Sequence, residues 1–382
     1  MSEAVVLKNP DAAGGVELRE TVASSPDSLY IPSLDGIRAV SFFLVFFSHS
    51  HLGGIIPGGF GVSIFFLLSG FLITTLLRKE FRRYGRISLG RFYLRRVLRI
   101  LPPLYITLTL AIVLFSIEYG LHALPAAGTL AQALQVSNYF EIYAARAITI
   151  PGTGVLWSLA VEEHFYLIFP LLYAWMCARF SVSRQATILL GLCAAALLWR
   201  CLLVYFEGDA AFAHTYLSTD TRFDSILFGC VFAVIANPTC DDPAYRWIVR
   251  ALRWLVPLCL LVLLGTFLYR DEYFRQTARY TVQALALIPL FIAAIHCRGS
   301  LPVRFLNLPF VCFLGVLSYS LYLCHFIIIE SIESHWTFNP VLTGALSLAC
   351  ALLFATAVHY GIERPCARLR KRLSRTQPQK AL

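Results

Sequence analysis

Arg38 and His49 stand eleven positions apart in an apolar stretch that opens with Leu34-Asp35-Gly36-Ile37-Arg38. Eleven residues at about 100° each make nearly three helical turns, so both side chains share one face, roughly 16 Å apart along the axis. A charged side chain inside a bilayer costs on the order of 3 kcal/mol unless it meets a partner or a polar cavity, which makes the pair a functional candidate. The plain structural reading is an Arg that snorkels to the interface and a His that closes the far end of the helix. His51, two positions further on, points to another face.

A later apolar run begins Trp157-Ser158-Leu159-Ala160-Val161-Glu162-Glu163-His164. Two adjacent carboxylates one turn into a membrane helix need at least one partner. This run starts on the side where the Arg38–His49 run ends, so Glu162 and Glu163 are expected at the depth of His49. There one of them can fix the tautomer of the imidazole, the recurring support of a general base. An interfacial ion pair with Arg146 or Arg222 is the alternative. Thr219-Asp220-Thr221-Arg222-Phe223-Asp224 reads either as a helix start capped by Asp220 or Thr221 with a local salt bridge, or as part of a substrate site. Ser318, Tyr322 and His325 recur at helical spacing and either line a pore or pack as satisfied core residues. Arg96 and Arg99 share a face just before Leu101-Pro102-Pro103, where the prolines are expected to end the basic turn. They can grip a polyphosphate, and lipid headgroups explain them equally well.

The elements that position these residues follow from composition. The chain is 58% hydrophobic and 14% charged, and apolar runs of about 20 residues recur along nearly its whole length, which a soluble core cannot absorb. The expected fold is an all-α polytopic bundle of about ten transmembrane helices, at roughly 34-54, 59-77, 100-119, 156-177, 187-206, 222-237, 252-269, 279-297, 311-330 and 341-361. The loop after the second run holds Arg78, Lys79, Arg82, Arg83, Arg86, Arg91, Arg95, Arg96 and Arg99, and the C-terminal tail is equally basic. Both termini are therefore expected in the cytoplasm, and the net charge of +10 is mostly topology and not a nucleic-acid surface. Residues 1–30 lack the pattern of a signal peptide and read as a mobile cytoplasmic tail, 31–365 as the membrane domain, and 366–382 as a basic cytoplasmic tail. Gly53-Gly54 and Gly58-Gly59 read as a tight turn between the first two spans. The eleven cysteines show no CxxC pair, so no metal site is expected.

Several strings together carry a resemblance. Leu34-Asp35-Gly36-Ile37-Arg38 followed by His49, Gly61-Val62-Ser63-Ile64-Phe65-Phe66-Leu67-Leu68-Ser69-Gly70-Phe71, Arg96-x-x-Arg99 before Leu101-Pro102, Trp157-Ser158-Leu159-Ala160-Val161-Glu162-Glu163, and Tyr319-Ser320-Leu321-Tyr322-Leu323-Cys324-His325 resemble acyltransferase family 3, from about Tyr30 to Pro365. These are membrane-integral O-acyltransferases, many of which modify bacterial surface sugars. The resemblance implies a ten-helix acyltransferase domain in the bacterial inner membrane, acyl-CoA as donor, His49 as the catalytic His and Arg96 and Arg99 near the CoA. Two positions depart from the family pattern: Ser63 stands where Asp is common, and His164 where Gln is common. An acidic helper at position 63 is therefore not carried over.

The resulting expectation is transfer of an acyl group, acetyl first among the options, from cytoplasmic acyl-CoA to a hydroxyl of a carbohydrate acceptor such as exopolysaccharide, O-antigen or another glycan, free or lipid-linked. Arg96, Arg99 and Arg38 take the CoA phosphates. His49 is the general base, Glu162 or Glu163 orients it, and Trp157, Ser158, Asp220, Arg222, Tyr322 and His325 contact the acceptor. An acyl-imidazole on His49 is the alternative route. Besides membrane lipids, acyl-CoA and acceptor, no tightly bound cofactor, metal or nucleic acid is expected. With no appended extracytoplasmic domain expected beyond the last span, the membrane domain completes the transfer or hands it to a separate protein. Two rival readings are O-acylation of a macrolide or other small metabolite, and a proton-coupled transporter using Arg38, His49 and Glu162.

Overall fold

Each of the ten expected spans coincides with a helix in the structure, a computed structural model that describes residues 30–52, 57–144, 148–240 and 242–375. The helices are α1 Pro32–Phe47, α2 Gly58–Tyr84, α3 Leu89–Tyr119, α4 Leu156–Arg179, α5 Val182–Glu207, α6 Thr219–Ile235, α7 Pro243–Leu268, α8 Ala278–His296, α9 Pro309–His335 and α10 Pro340–Val358. An eleventh, the basic helix α11 Arg364–Arg375, follows a π turn. No strand occurs among the described residues, and the chain is an all-α polytopic membrane protein. The expected N-terminal tail, the Gly53-Gly54 turn, Arg146 and residues 376–382 lie outside the described residues.

Seven helices, α2, α3, α5, α7, α8, α9 and α10, are long and apolar enough to cross a membrane. The other three differ for an instructive reason. α1 and α6 have only 16 and 17 residues, and α4 is interrupted by Glu162-Glu163-His164. These are the helices that carry Arg38, Arg222 and the two carboxylates, so the candidate site sits on two short helices and on one whose apolar run is broken by charge.

Packing is closest where side chains are smallest. α6 lies between α2 and α5, and α1 lies between α2 and α9. A Cβ on Gly70 of α2 would sit 2.0 Å from the Ile226 carbonyl oxygen of α6, and one on Gly229 of α6 would sit 2.1 Å from the Leu67 carbonyl oxygen. The two backbones touch through reciprocal glycines, the usual device for helix association in lipid, where hydrophobicity does not drive helices together. α9 approaches α1 in the same way, its Gly315 lying against the Asp35 carbonyl.

Three local expectations change. α3 starts at Leu89 and runs through Pro102 and Pro103 as one helix of 31 residues, so the basic turn is not ended by the prolines. The Tyr319 hydroxyl of α9 donates to the Ile100 carbonyl at 2.9 Å, tying α3 to α9 just before the prolines. Gly58 and Gly59 form the first turn of α2, not a loop. Arg78, expected in a loop, is buried in the last turns of α2. It pairs with Asp242 at 2.7 and 3.0 Å and donates to the Ala233 carbonyl.

Candidate active site

α1 runs out of regular α-helix at Ser48, and Ser48–Leu52 forms a π turn, an irregularity common at functional positions. His49 stands on this turn. Its Nδ1 lies 3.0 Å from Nε2 of His325 on α9, and its ring stacks on Phe326 at 4.4 Å. His325 is fully buried, and its own Nδ1 lies 2.8 Å from the Tyr322 carbonyl oxygen. A carbonyl oxygen only accepts, so His325 Nδ1 carries the hydrogen. In a neutral ring His325 Nε2 is then a lone pair, and it accepts from His49 Nδ1–H. His49 is left with Nε2 unprotonated, the nitrogen a general base uses.

One turn away, the Tyr322 hydroxyl lies 2.6 Å from Ser158 Oγ of α4. Both hydroxyls also reach the Val155 carbonyl, at 3.2 and 3.1 Å. Four residues further along α4, roughly 6 Å of rise, a second polar cluster begins. Glu162 accepts hydrogen bonds from Ser69 of α2 at 2.9 Å and from Tyr166 at 2.8 Å. Glu163 Oε1 is buried and has no hydrogen-bond partner among the described residues. Arg96 lies over the rings of Tyr166 and Phe92, at 5.0 and 5.5 Å, within electrostatic range of Arg99 and both carboxylates. Arg38 is ion-paired with Asp35 one turn earlier on α1 and stands within range of Arg99.

The sequence-predicted residues thus divide into two groups. His49, His325, Tyr322 and Ser158 meet at one level, with Trp157 beside them. Arg38, Arg96, Arg99, Glu162 and Glu163 meet at another. The expected pairing of His49 with a carboxylate is corrected: its partner is His325, and the Glu162 oxygens are taken by Ser69 and Tyr166. The reason is partly lateral, since α1 packs chiefly on α9 and α2, whereas α4 packs on α2 and the short helix Ser137–Tyr143. It is also axial, since Ser158, and not Glu162 one turn further along α4, stands at the level of His49 and His325.

The segment around Arg222 also departs from expectation. Ser218, not Asp220 or Thr221, precedes the first turn of α6. Asp220 accepts from Trp199 Nε1, the Tyr139 hydroxyl and His214 Nε2. Arg222 pairs with neither Glu162 nor Glu163. Its Nη2 donates to Ser63 Oγ at 3.2 Å, and the ring of Tyr280 lies 3.8 Å from its guanidinium carbon. Ser63 therefore enters the site as a neutral neighbour of a buried cation.

Sequence reasoning misses Ser69, Tyr166, Tyr216 and Tyr280, because a hydroxyl or ring in an apolar run resembles core packing. A signal exists for Tyr166, which follows Glu162 at i+4 and can therefore meet it on one helix face.

Comparison with known proteins bears on this arrangement. The sequence matches the family described as an acyltransferase domain over residues 31–362. It is 30% identical over 353 residues to the O-acetyltransferase OatA of Staphylococcus aureus strain NCTC 8325 / PS 47, and equally to that of strain MRSA252. Each match covers 88% of this chain and 57% of the relative, so the chain spans little more than half the length of these proteins. No solved structure matches.

Proposed function

The chain belongs to acyltransferase family 3, and from that premise we propose that it is a membrane O-acyltransferase that moves an acyl group, acetyl in the first instance, from acyl-CoA to a carbohydrate hydroxyl. The observation that supports this reading best is the line Tyr322 carbonyl, His325, His49, which leaves one imidazole nitrogen free to accept a proton. His49 Nε2 takes the hydroxyl proton as the acceptor oxygen attacks the thioester carbonyl. The C–S bond breaks, and the thiolate of CoA leaves with a proton returned from His49. The donor's phosphates sit with Arg96 and Arg99, and Arg38 adds positive charge to the same end. Ser158 and Tyr322 border the reacting end, and along the first helix Arg38 and His49 are roughly 16 Å apart, a gap that suits the long, thin pantetheine arm.

The Lys/Arg asymmetry orients the scheme. The Arg-rich α2–α3 connection and both termini are cytoplasmic, and the chain resides in the bacterial inner membrane. A reporter fused at Gly85 should read cytoplasmic, and an outward-facing reporter there would invert the scheme. The function itself is tested with detergent-solubilised protein, acetyl-CoA and a carbohydrate acceptor. Wild type should release CoA in an acceptor-dependent way, and His49→Ala should insert normally and lose transfer by about 10²-fold or more. Unchanged turnover in His49→Ala would remove the assignment, and acceptor translocation without CoA release would favour the transporter.

A further inference from the structure

Arg222 is fully buried, and among the described residues no carboxylate is bonded to it. One hydrogen bond, Nη2 to Ser63 Oγ, occupies a guanidinium with five N–H donors. Nε and Nη1 have no hydrogen-bond partner among the described residues. Asp224 is two positions away, but its two oxygens are held by Arg200 at 2.8 and 2.6 Å, and Thr281 adds a third bond. Around Arg222 stand rings instead: Tyr280 at 3.8 Å, Phe66 at 5.6 Å, Tyr216 at 5.8 Å and Trp157 at 5.9 Å. Cation–π contact with these rings offsets only part of the cost of burying an ion. The remaining deficit is what an anion would offset.

The position of the guanidinium says which substrate could bring one. Trp157 packs against Tyr216 at 5.0 Å and against Phe66 at 6.2 Å, and the next residue on α4, Ser158, is hydrogen-bonded to Tyr322, one turn from His325. Arg222 is thus one ring away from the cluster in which the acceptor hydroxyl is activated, and separate from the Arg96 cluster. Tyr216, whose ring lies 5.8 Å from the guanidinium, is itself half-buried.

We propose that Arg222 is an oxyanion-binding residue on the acceptor side, and that the acceptor carries a carboxylate or a phosphate which pairs with its free N–H groups. The inference rests on the acyltransferase reading for the word acceptor, but not for the anion site. A neutral acceptor would leave the buried cation uncompensated, so the site selects for charge as well as shape.

The test reads thermal unfolding of the purified full-length chain in detergent, which does not depend on acyl transfer. D-glucuronate probes a carboxylated sugar, inorganic phosphate a phosphorylated or lipid-linked one, and D-glucose is the neutral control. At least one of the two anions should raise the melting temperature of wild type, as a ligand of the native state must, and glucose should not. Ser63→Asp places a carboxylate where Arg222 already donates. It should raise the melting temperature by itself and abolish the anion-dependent shift, as should Arg222→Gln. The proposal is overturned if neither anion exceeds glucose, or if the shift survives in both variants. A positive shift alongside a failed transfer assay would keep the anion site and discard the enzyme reading.

Discussion

Arg200 on α5 and Arg222 on α6 are both completely buried, yet their surroundings are opposite. Arg200 donates to both Asp224 oxygens, to the Thr221 and Thr277 carbonyls and to Thr281 Oγ1. Arg222 has one neutral hydroxyl and a set of rings. The contrast extends across the molecule. The Arg78–Asp242 pair is saturated in the manner of Arg200, whereas Glu163 shares the unsatisfied state of Arg222. Saturated ionic centres join helices, here α5 to α6 and α2 to the α6–α7 connection. Of the unsaturated ones, Glu163 stands in the Arg96 cluster and Arg222 beside Trp157, next to the Ser158–Tyr322 pair.

The largest expected effect tests the saturated side. Asp224→Asn leaves Arg200 buried without its counter-ion and should destabilise the fold by about 3–5 kcal/mol, read as a fall in melting temperature in detergent. Arg222→Met removes a cation that has no bonded counter-ion among the described residues and should be neutral or stabilising, because an uncompensated buried charge is often improved upon by an apolar side chain. Equal losses in the two variants would erase the distinction drawn between these arginines.

Next in size is the histidine pair. His325→Leu removes the acceptor that holds His49 Nδ1–H, and kcat should fall by about 10²-fold with the acceptor KM little changed. His325→Gln retains an oxygen that can accept from His49 and should recover much of that loss. If both variants behave alike, His325 fills space and does not set the tautomer.

Glu141, on the short helix Ser137–Tyr143 outside the spanning segments, belongs to the unsaturated class. Its Oε1 is buried without a hydrogen-bond partner among the described residues, and burial pushes its carboxyl from 4.5 up to about 7. A raised folded-state value means that the native chain holds the proton more tightly than the unfolded one. The contribution is therefore complete below about pH 4.5 and is lost as pH rises through about 7. A tenfold difference in proton affinity corresponds to about 1.4 kcal/mol, and solvent at the half-buried carboxyl screens part of it, so the loss at pH 8 is at most about 3 kcal/mol. Glu141→Gln should flatten the melting temperature across this window and stabilise the protein above it. A parallel pH profile in the variant would show that Glu141 does not titrate with folding.

The arginine turn comes next. Arg96→Ala and Arg99→Ala should each weaken acyl-CoA binding by about 1.5–3 kcal/mol, the range of a charge-assisted hydrogen bond, and leave acceptor affinity unchanged. Unchanged CoA affinity in the double variant would return both residues to lipid headgroups.

The fold is more legible in the sequence than the site. Leu156–Arg179 and Ala278–His296 lie within two residues of the spans read from hydropathy, because helix length in a membrane is fixed by bilayer thickness. Hydropathy starts α3 eleven residues late, and the prolines mislead as well, since a helix packed inside a membrane protein can run through prolines that would end a soluble one. The site is legible as residue types and illegible as pairs. Depth alone pairs Glu162 with His49, whereas glycine contacts such as Gly315 against Asp35 decide that α9, with His325, is the neighbour of α1. Charge marks Arg222, but its isolation depends on Asp224 turning to Arg200, a choice made by packing and not by spacing.

The smallest effect expected is at Ser158, and it marks the boundary between the two classes. Its hydroxyl bonds to Tyr322 and to a carbonyl of its own helix, so it is satisfied like Arg200 but stands in the cluster of His49. If its role is to hold Tyr322 beside the reacting groups, Ser158→Ala should cost about 0.5–1.5 kcal/mol, the net value of one neutral hydrogen bond. That cost should appear in kcat/KM and not in the melting temperature, because the one Tyr322 hydroxyl hydrogen is then free for the Val155 carbonyl at 3.2 Å. Tyr322→Phe removes both bonds and should cost more than Ser158→Ala in the same assay. A stability loss without a kinetic one in Ser158→Ala would assign the Ser158–Tyr322 contact to the framework, and the functional cluster would then contract to His49, His325 and whatever the acceptor itself supplies.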